Sequence, residues 1–249
     1  MGTRARQFII LMSVFMAVLA AGCSEDDEKT LYIAFAAAPT DNCKVSVQKS
    51  EPYDYLSYGT LDLGHPYFDN EPVYYLYPQI HNYVVSEFDN IRVDPAGDFL
   101  QIEKAIVTFE WLSGREVLEA SPDLAPLLSM ETDFELKTYP NIIIFLPKEA
   151  GDPDQIVTIV RLITPDVGNM LTGLQNQTPE NLSKLILGAH LRFEGHTFDG
   201  REIVSNDFVF PIEFCWGCLD VACRDENNNL IGYPACRPGQ DSNPLGCEN

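Results

Sequence analysis

Apolar and polar residues alternate along most of the chain with the two-residue period of half-buried strands. The clearest run is residues 99–112, where Ala105, Val107, Phe109 and Trp111 fall on one face and Lys104, Thr108 and Glu110 on the other. Ser113-Gly114 then turns the chain, and residues 115–118 are expected to return beside the strand as a hairpin. Residues 31–38 form a compact apolar run and residues 43–48 alternate, so both are read as strands. Further on, residues 132–138 alternate, 141–146 are continuously apolar after Asn141, and 155–163 are rich in β-branched side chains. An unbroken apolar strand is covered on both faces, so these three runs are expected to hold the centre of the core. Residues 190–194 and 207–214 complete the strand pattern.

Helix-start chemistry is concentrated at Thr178-Pro179, with Thr178 as N-cap and Pro179 in the first helical position. Residues 124–128 add one helical turn. Strands dominate and strand–helix–strand spacing is missing, so the expected class is all-β, a two-sheet antiparallel β-sandwich with a disulfide-stapled C-terminal tail.

One apolar stretch does not belong to that pattern. Residues 8–22 follow Arg4 and Arg6 and are shorter than the roughly 18 residues at which a spanning helix is the better reading. They read as a secretory signal ending in small residues just before Cys23. The segment Leu19, Ala20, Ala21, Gly22, Cys23 resembles the lipobox of bacterial lipoproteins, which implies that Cys23 is the lipid-attachment residue. Ala20 stands where that family most often has Leu. Ser24 after the cysteine implies, by the same resemblance, transfer to an outer membrane, facing the periplasm or the cell surface. The expected organisation is a signal peptide at 1–22, a lipid-anchored polar tether at 23–30, a β-sandwich at 31–214 and a cysteine-rich extension at 215–249 packed on the same domain.

The chain has 16 basic and 37 acidic residues, a formal charge of −21. Loss of Arg4 and Arg6 with the signal leaves 14 basic residues against 37, or −23. Such a field repels phosphate backbones, so nucleic acid is excluded as a partner. The expected partners are the membrane, through the N-terminal lipid, and an envelope protein or a glycan.

If Cys23 carries lipid, six cysteines remain as disulfide candidates: Cys43, Cys215, Cys218, Cys223, Cys236 and Cys247. An even number in an exported protein points to cross-links, with fifteen connectivities open. Cys43 is a candidate for tying the early strands to the C-terminal cluster. The pair Cys215 and Cys218 also has zinc-ligand spacing and the spacing of an exchange motif. Export disfavours four reduced thiolates, and the exchange motif usually opens a helix, whereas Leu219-Asp220 and a third cysteine follow here. Asp225, Asn227 and Asn229 have the first oxygen-ligand spacings of a calcium loop, but Leu230 occupies its glycine position and Cys236 that of its bidentate acid. No metal site is expected beyond that weak calcium motif.

The tail also resembles a group of cysteine-rich envelope lipoproteins of myxobacteria and related bacteria. The matching features are the lipobox, the strand–turn–strand of residues 189–194 and 200–214, the Phe214-Cys215-x-Gly217-Cys218-Leu219 step, and Cys236-Arg237-Pro238-Gly239-Gln240-Asp241 with a last cysteine at Cys247. The resemblance is most specific over the final 60 or so residues and implies an envelope lipoprotein without implying an activity.

Residues 52–88 are rich in tyrosine, and Tyr53, Tyr55, Tyr74, Tyr75, Tyr77 and Tyr83 are candidates for a glycan- or ligand-binding surface. The four histidines, His65, His81, His190 and His196, form no metal-binding pair in sequence, although His190, His196 and Asp199 flank one turn. No Gly-x-Ser-x-Gly elbow or phosphate-binding glycine loop occurs. The expectation is a structural or protein-interaction lipoprotein, with no cofactor and no catalytic activity. A lipid-anchored module that binds a glycan or another small ligand is the alternative.

Overall fold

The computed structural model describes residues 31–39, 45, 55–65, 72–82, 99–133, 135–138, 142–145, 154–197, 200–219, 223–224, 230–232 and 240–241. In chain order, β1 (Leu31–Ala37), β2 (Tyr55–Leu56), β3 (Gly59–Asp62), β4 (Tyr74–Leu76), β5 (Pro78–Asn82) and β6 (Phe99–Ser113) come first. Three short helices follow, α1 (Arg115–Ala120), α2 (Ala125–Leu128) and α3 (Met130–Asp133). After them come β7 (Glu135–Thr138), β8 (Ile142–Phe145), β9 (Asp154–Val157) and β10 (Val160–Ile163), then α4 (Pro165–Leu171) and α5 (Pro179–Leu182). The last group is β11 (Ile186–Thr197), β12 (Glu202–Val204), β13 (Phe208–Cys215), β14 (Cys223–Arg224) and β15 (Leu230–Gly232).

These elements form an all-β, two-layer sandwich and not a barrel. One layer has the order β2-β1-β5-β9, continued by the β10-β4 pair. Tyr77 alone separates β4 from β5, and Thr158 N–H donates to Pro78 O at 3.2 Å, so the two ladders join end to end. The other layer has the order β3-β13-β11-β6-β7, with β12 also pairing β11 and β8 also pairing β6. All pairs are antiparallel except β3 with β13. Tyr74 of one layer and Phe210 of the other meet with ring centroids 5.8 Å apart.

The long β6–β11 ladder is the centre of the molecule. Ala105, Val107, Phe109 and Trp111 are buried, as their alternation predicts, opposite Leu187, Ala189, Leu191 and Phe193. Each fully buried Val, Leu or Phe among them contributes about 1.5–3 kcal/mol relative to exposure. A register shift opposite Glu194 and Gly195 makes Glu103 an extra residue in β6, which is why Leu100 and Ile102 also point inward. Gly195 admits this crossing because a Cβ there would overlap Gln101 O.

Three expectations are corrected. Residues 115–118 do not return as a hairpin strand: β11 pairs β6 up to Ser113 on one side, and on the other side Trp111 N–H donates to Glu131 Oε1 of α3 at 3.0 Å, beyond the stretches that β7 and β8 pair. Gly114, at φ 79°, instead turns the chain into α1, which buries Leu118. The core is centred on β6, β11 and β13, and of residues 132–163 it takes in Val160, Leu162 and Ile163 of β10, while β7 and β8 pair separate parts of β6 at the layer's border and β9 borders the other layer. Helix is also not confined to Thr178. That residue does cap α5, its Oγ1 accepting from Asn181 N–H, but α5 lasts one turn and α4 starts separately after Thr164-Pro165. Residues 43–48 lie outside the described residues except for Val45. Among the described residues, no helix is long and apolar enough to cross a membrane.

Candidate functional site

The end of β13 carries the densest chemistry. Here β3 runs parallel to β13 and places Asp62 beside Cys215. Cys215 is joined to Cys218 by a disulfide with a Cα–Cα distance of 5.8 Å. On the chain-entropy account a loop this short contributes about 2 kcal/mol, against about 5 for a closure as long as one through Cys43. Cys215 and Cys218 thus satisfy each other, and Cys43 pairs with neither. The backbone of Cys223 lies in β14, while Cys23, Cys43, Cys236 and Cys247 lie outside the described residues.

Asp62 is fully buried, and its carboxylate gathers three backbone N–H groups. Gly64 and Gly217 donate to Oδ1 at 2.9 and 2.6 Å, and Leu219 donates to Oδ2 at 3.1 Å. The Gly64 contact is an Asx turn that ends β3; the other two hold the cysteine turn, in which Gly217 takes φ 65°. Leu63 N–H donates to Cys215 O at 2.9 Å. Trp216 lies over Gly64, where a Cβ would come within 2.6 Å of the indole, and is 47% exposed. His65 is buried beside this corner; burial pushes its imidazole below the usual range, against the pull of the Asp62 charge. One ligand atom from each of Asp62, Cys215 and Cys218 lies within 4.8 Å of the others. With the sulfurs bonded to each other, the thiolates a zinc ion needs are not offered.

A second cluster fastens the tail to both layers. Tyr74 is 0% exposed and its hydroxyl donates to Asp241 Oδ2 at 2.6 Å. Asp241 Oδ1 accepts from Thr60 N–H at 2.8 Å, and Asp241 N–H donates to Thr60 O at 2.9 Å. The Gln240 carboxamide accepts from Tyr75 N–H at 2.8 Å and donates to Tyr75 O at 2.9 Å, as a neighbouring strand would. Asn206 does the same for Ile33, accepting from its N–H at 2.6 Å and donating to its carbonyl at 3.2 Å. Burial raises both Tyr74 and Asp241 above their ordinary values; the Asp241 charge adds to the effect on Tyr74, and hydrogen bonds oppose it for Asp241. No local pattern announces these residues, although the Asp-x-Gly of Asp62 is a turn signature.

The tyrosines divide. Tyr74 is removed from the expected ligand surface, because alternation in β4 turns it into the core and Tyr75 outward. Tyr75 turns outward on β4, Tyr77 lies half-buried between β4 and β5, and Tyr55 sits on β2 at one edge of the four-stranded order. Tyr55 is 55% exposed and meets Phe35 edge-on at 4.1 Å, and Phe35 also meets His81 at 6.2 Å. Arg161 lies 5.0 Å over the Tyr75 ring and donates to its hydroxyl at 2.7 Å. Tyr53, Tyr83 and the calcium-loop residues Asp225, Asn227 and Asn229 lie outside the described residues.

The histidines do not converge. His190 and His196 lie six residues apart on β11, about 20 Å at strand spacing. His190 sits between Asp207, 2.8 Å from Nδ1, and Glu110, 3.1 Å from Nε2, whereas His196 faces Glu103 at 3.5 Å. Burial depresses the His190 imidazole, but Asp207 and Glu110 outweigh it and the net direction is upward. Asp199 lies outside the described residues.

Comparison of the chain with protein-family models, with curated proteins and with solved structures gives no match.

Proposed function

We propose that the protein is a lipid-anchored component of a bacterial cell envelope, attached to the outer membrane through Cys23 and carrying a β-sandwich with a structural or protein-interaction role. The observation that carries this reading is the order basic start, apolar residues 8–22, Cys23 and the polar segment 24–30. Several acyl chains on one cysteine give durable attachment, where one chain gives only a marginal one. The excess of acidic residues supports a soluble domain at a charged surface rather than a binder of phosphate backbones.

Fractionation and intact-mass measurement of wild type beside Cys23→Ser test the anchor. Wild type is expected in the membrane fraction with the mass of a processed, acylated chain, and the variant in the soluble fraction. The same mass and location for both sinks the proposal.

The exposed Tyr55 ring against Phe35, which also meets His81, favours a second reading as an anchored glycan-binding module. Co-sedimentation with purified cell-wall glycan, compared between wild type and Tyr55→Ala, tests it. Loss of sedimentation in the variant supports this reading, and wild type remaining in solution rejects it.

A further inference from the structure

We propose that Cys215–Cys218 is a thiol–disulfide exchange site for a dithiol-bearing partner, with Asp62 as the residue that keeps the cysteine turn in shape when the bond opens. The bond closes only its own turn, so it holds no distant parts of the fold together. That turn has fasteners of its own that do not involve sulfur. Gly217 and Leu219 are tied to the Asp62 carboxylate, and Leu63 to Cys215 O. Opening the bond therefore leaves both cysteines side by side instead of releasing a loop. Access differs between the sulfurs: Cys218 is on an exposed residue, and Cys215 is half-buried at the strand end. Trp216, which follows Cys215 in the turn, lies over Gly64 and is exposed, and offers an apolar contact for the approaching chain.

In the exchange, a partner thiolate attacks Cys218 Sγ. A partner–Cys218 bond forms, the Cys215–Cys218 bond breaks, and its electron pair stays on Cys215 Sγ, which takes up a proton. The partner's second thiol loses its proton and attacks the partner sulfur of the mixed disulfide. The partner's own disulfide closes and Cys218 leaves as a thiolate. The partner dithiol loses two electrons and the Cys215–Cys218 pair gains them. Asp62 acts through the turn and through its charge. A carboxylate this close disfavours a thiolate, so its removal is expected to let the reduced pair react at lower pH.

The test is site-resolved. The full chain is treated with graded dithiothreitol under native conditions and alkylated, and the sulfurs of 215 and 218 are assigned by peptide mass spectrometry. The proposal expects Cys215–Cys218 to open while the far-ultraviolet spectrum and the urea midpoint stay native-like, and to close again when oxidised glutathione is added. Cys215→Ser is expected to hold glutathione at Cys218 at least tenfold more than Cys218→Ser holds it at Cys215. Asp62→Asn keeps an acceptor for Gly64 and Gly217, loses the one for Leu219 N–H and removes the charge, and in it the pH midpoint for alkylation of the reduced pair is expected to move to lower pH. Should the bond open only where the whole domain unfolds, or should the two single-cysteine variants trap glutathione equally, the proposal is overturned. An unmoved midpoint in Asp62→Asn overturns the role given to Asp62.

Discussion

The hydroxyl of Tyr74 donates a 2.6 Å hydrogen bond to the carboxylate of Asp241, 167 positions further along the chain. The ring lies between the layers and the acceptor belongs to the tail, so one contact joins three parts of the molecule. Tyr74→Phe leaves a buried carboxylate oxygen short of a donor and is expected to cost about 1–3 kcal/mol, read from the urea midpoint. Asp241→Ala also removes the acceptor for Thr60 N–H. Because the two residues touch, the double variant is expected to fall short of the sum of the single effects by about 0.5 kcal/mol or more. Strict additivity would deny the contact its part in stability.

Asn206 makes a comparable prediction on the opposite side of the fold. Its carboxamide satisfies both the N–H and the carbonyl of Ile33, where the β1–β5 register shifts. Asn206→Ala is expected to cost about 2 kcal/mol by denaturant unfolding. Asn206→Asp keeps an acceptor for Ile33 N–H and removes the donor to Ile33 O, so it also is expected to be destabilised.

Glycines separate two sources of strain. At Gly195 a Cβ meets the backbone of Gln101, so Gly195→Ala is expected to destabilise by about 1–3 kcal/mol through overpacking. At Gly200 the space is open but φ is 84°, so Gly200→Ala is expected to cost about 1 kcal/mol for backbone conformation alone. Gly173 has ordinary φ and nothing closer than 4.0 Å, and Gly173→Ala is expected to be neutral or stabilising by up to about 1 kcal/mol. Thermal and urea unfolding of the three variants check the order.

Between Asp207 and Glu110, His190 is held more strongly protonated in the folded chain than in the unfolded one. Its contribution is therefore fully present below the unfolded value near 6.5 and is lost as pH rises through the folded value. His65 and His81 have the opposite sign. Burial lowers both, so their contribution is present above the unfolded value and is lost as pH falls from there through the folded value. The stability advantage of wild type over His190→Gln is thus expected to shrink as pH rises above the unfolded value near 6.5. An advantage that stays constant over this range removes His190 as the source.

The sequence reveals the middle of the fold better than its fastenings. Trp111 and Val107 declare a buried face through alternation alone, and β6 runs from Phe99 to Ser113 almost as expected. The helices are harder to read because Pro122, Pro126 and Pro165, which look like breakers, occupy the first turns of short helices. There the missing N–H costs nothing. Residues 155–163 read as one strand, yet Thr158 and Ile159 divide them into β9 and β10. At the candidate site, Cys215 and Cys218 are legible as reactive residue types, but their mutual pairing is one choice among many. Asp62 and Gln240 act on backbone groups brought to them by the fold, Gln240 on one 165 positions away, so nothing beside them in sequence reveals the task.

The Gln240–Asp241 clasp also sets an order of events. Thr60 and Tyr75 leave the ribosome long before the two residues that complete their hydrogen bonding. A nascent chain can form the β1–β5 pairing early, but the gap between β3 and β4 stays open until residues 240 and 241 have been made. The clasp therefore closes only after the strands it touches have been made, which makes it a late step of folding rather than a nucleus.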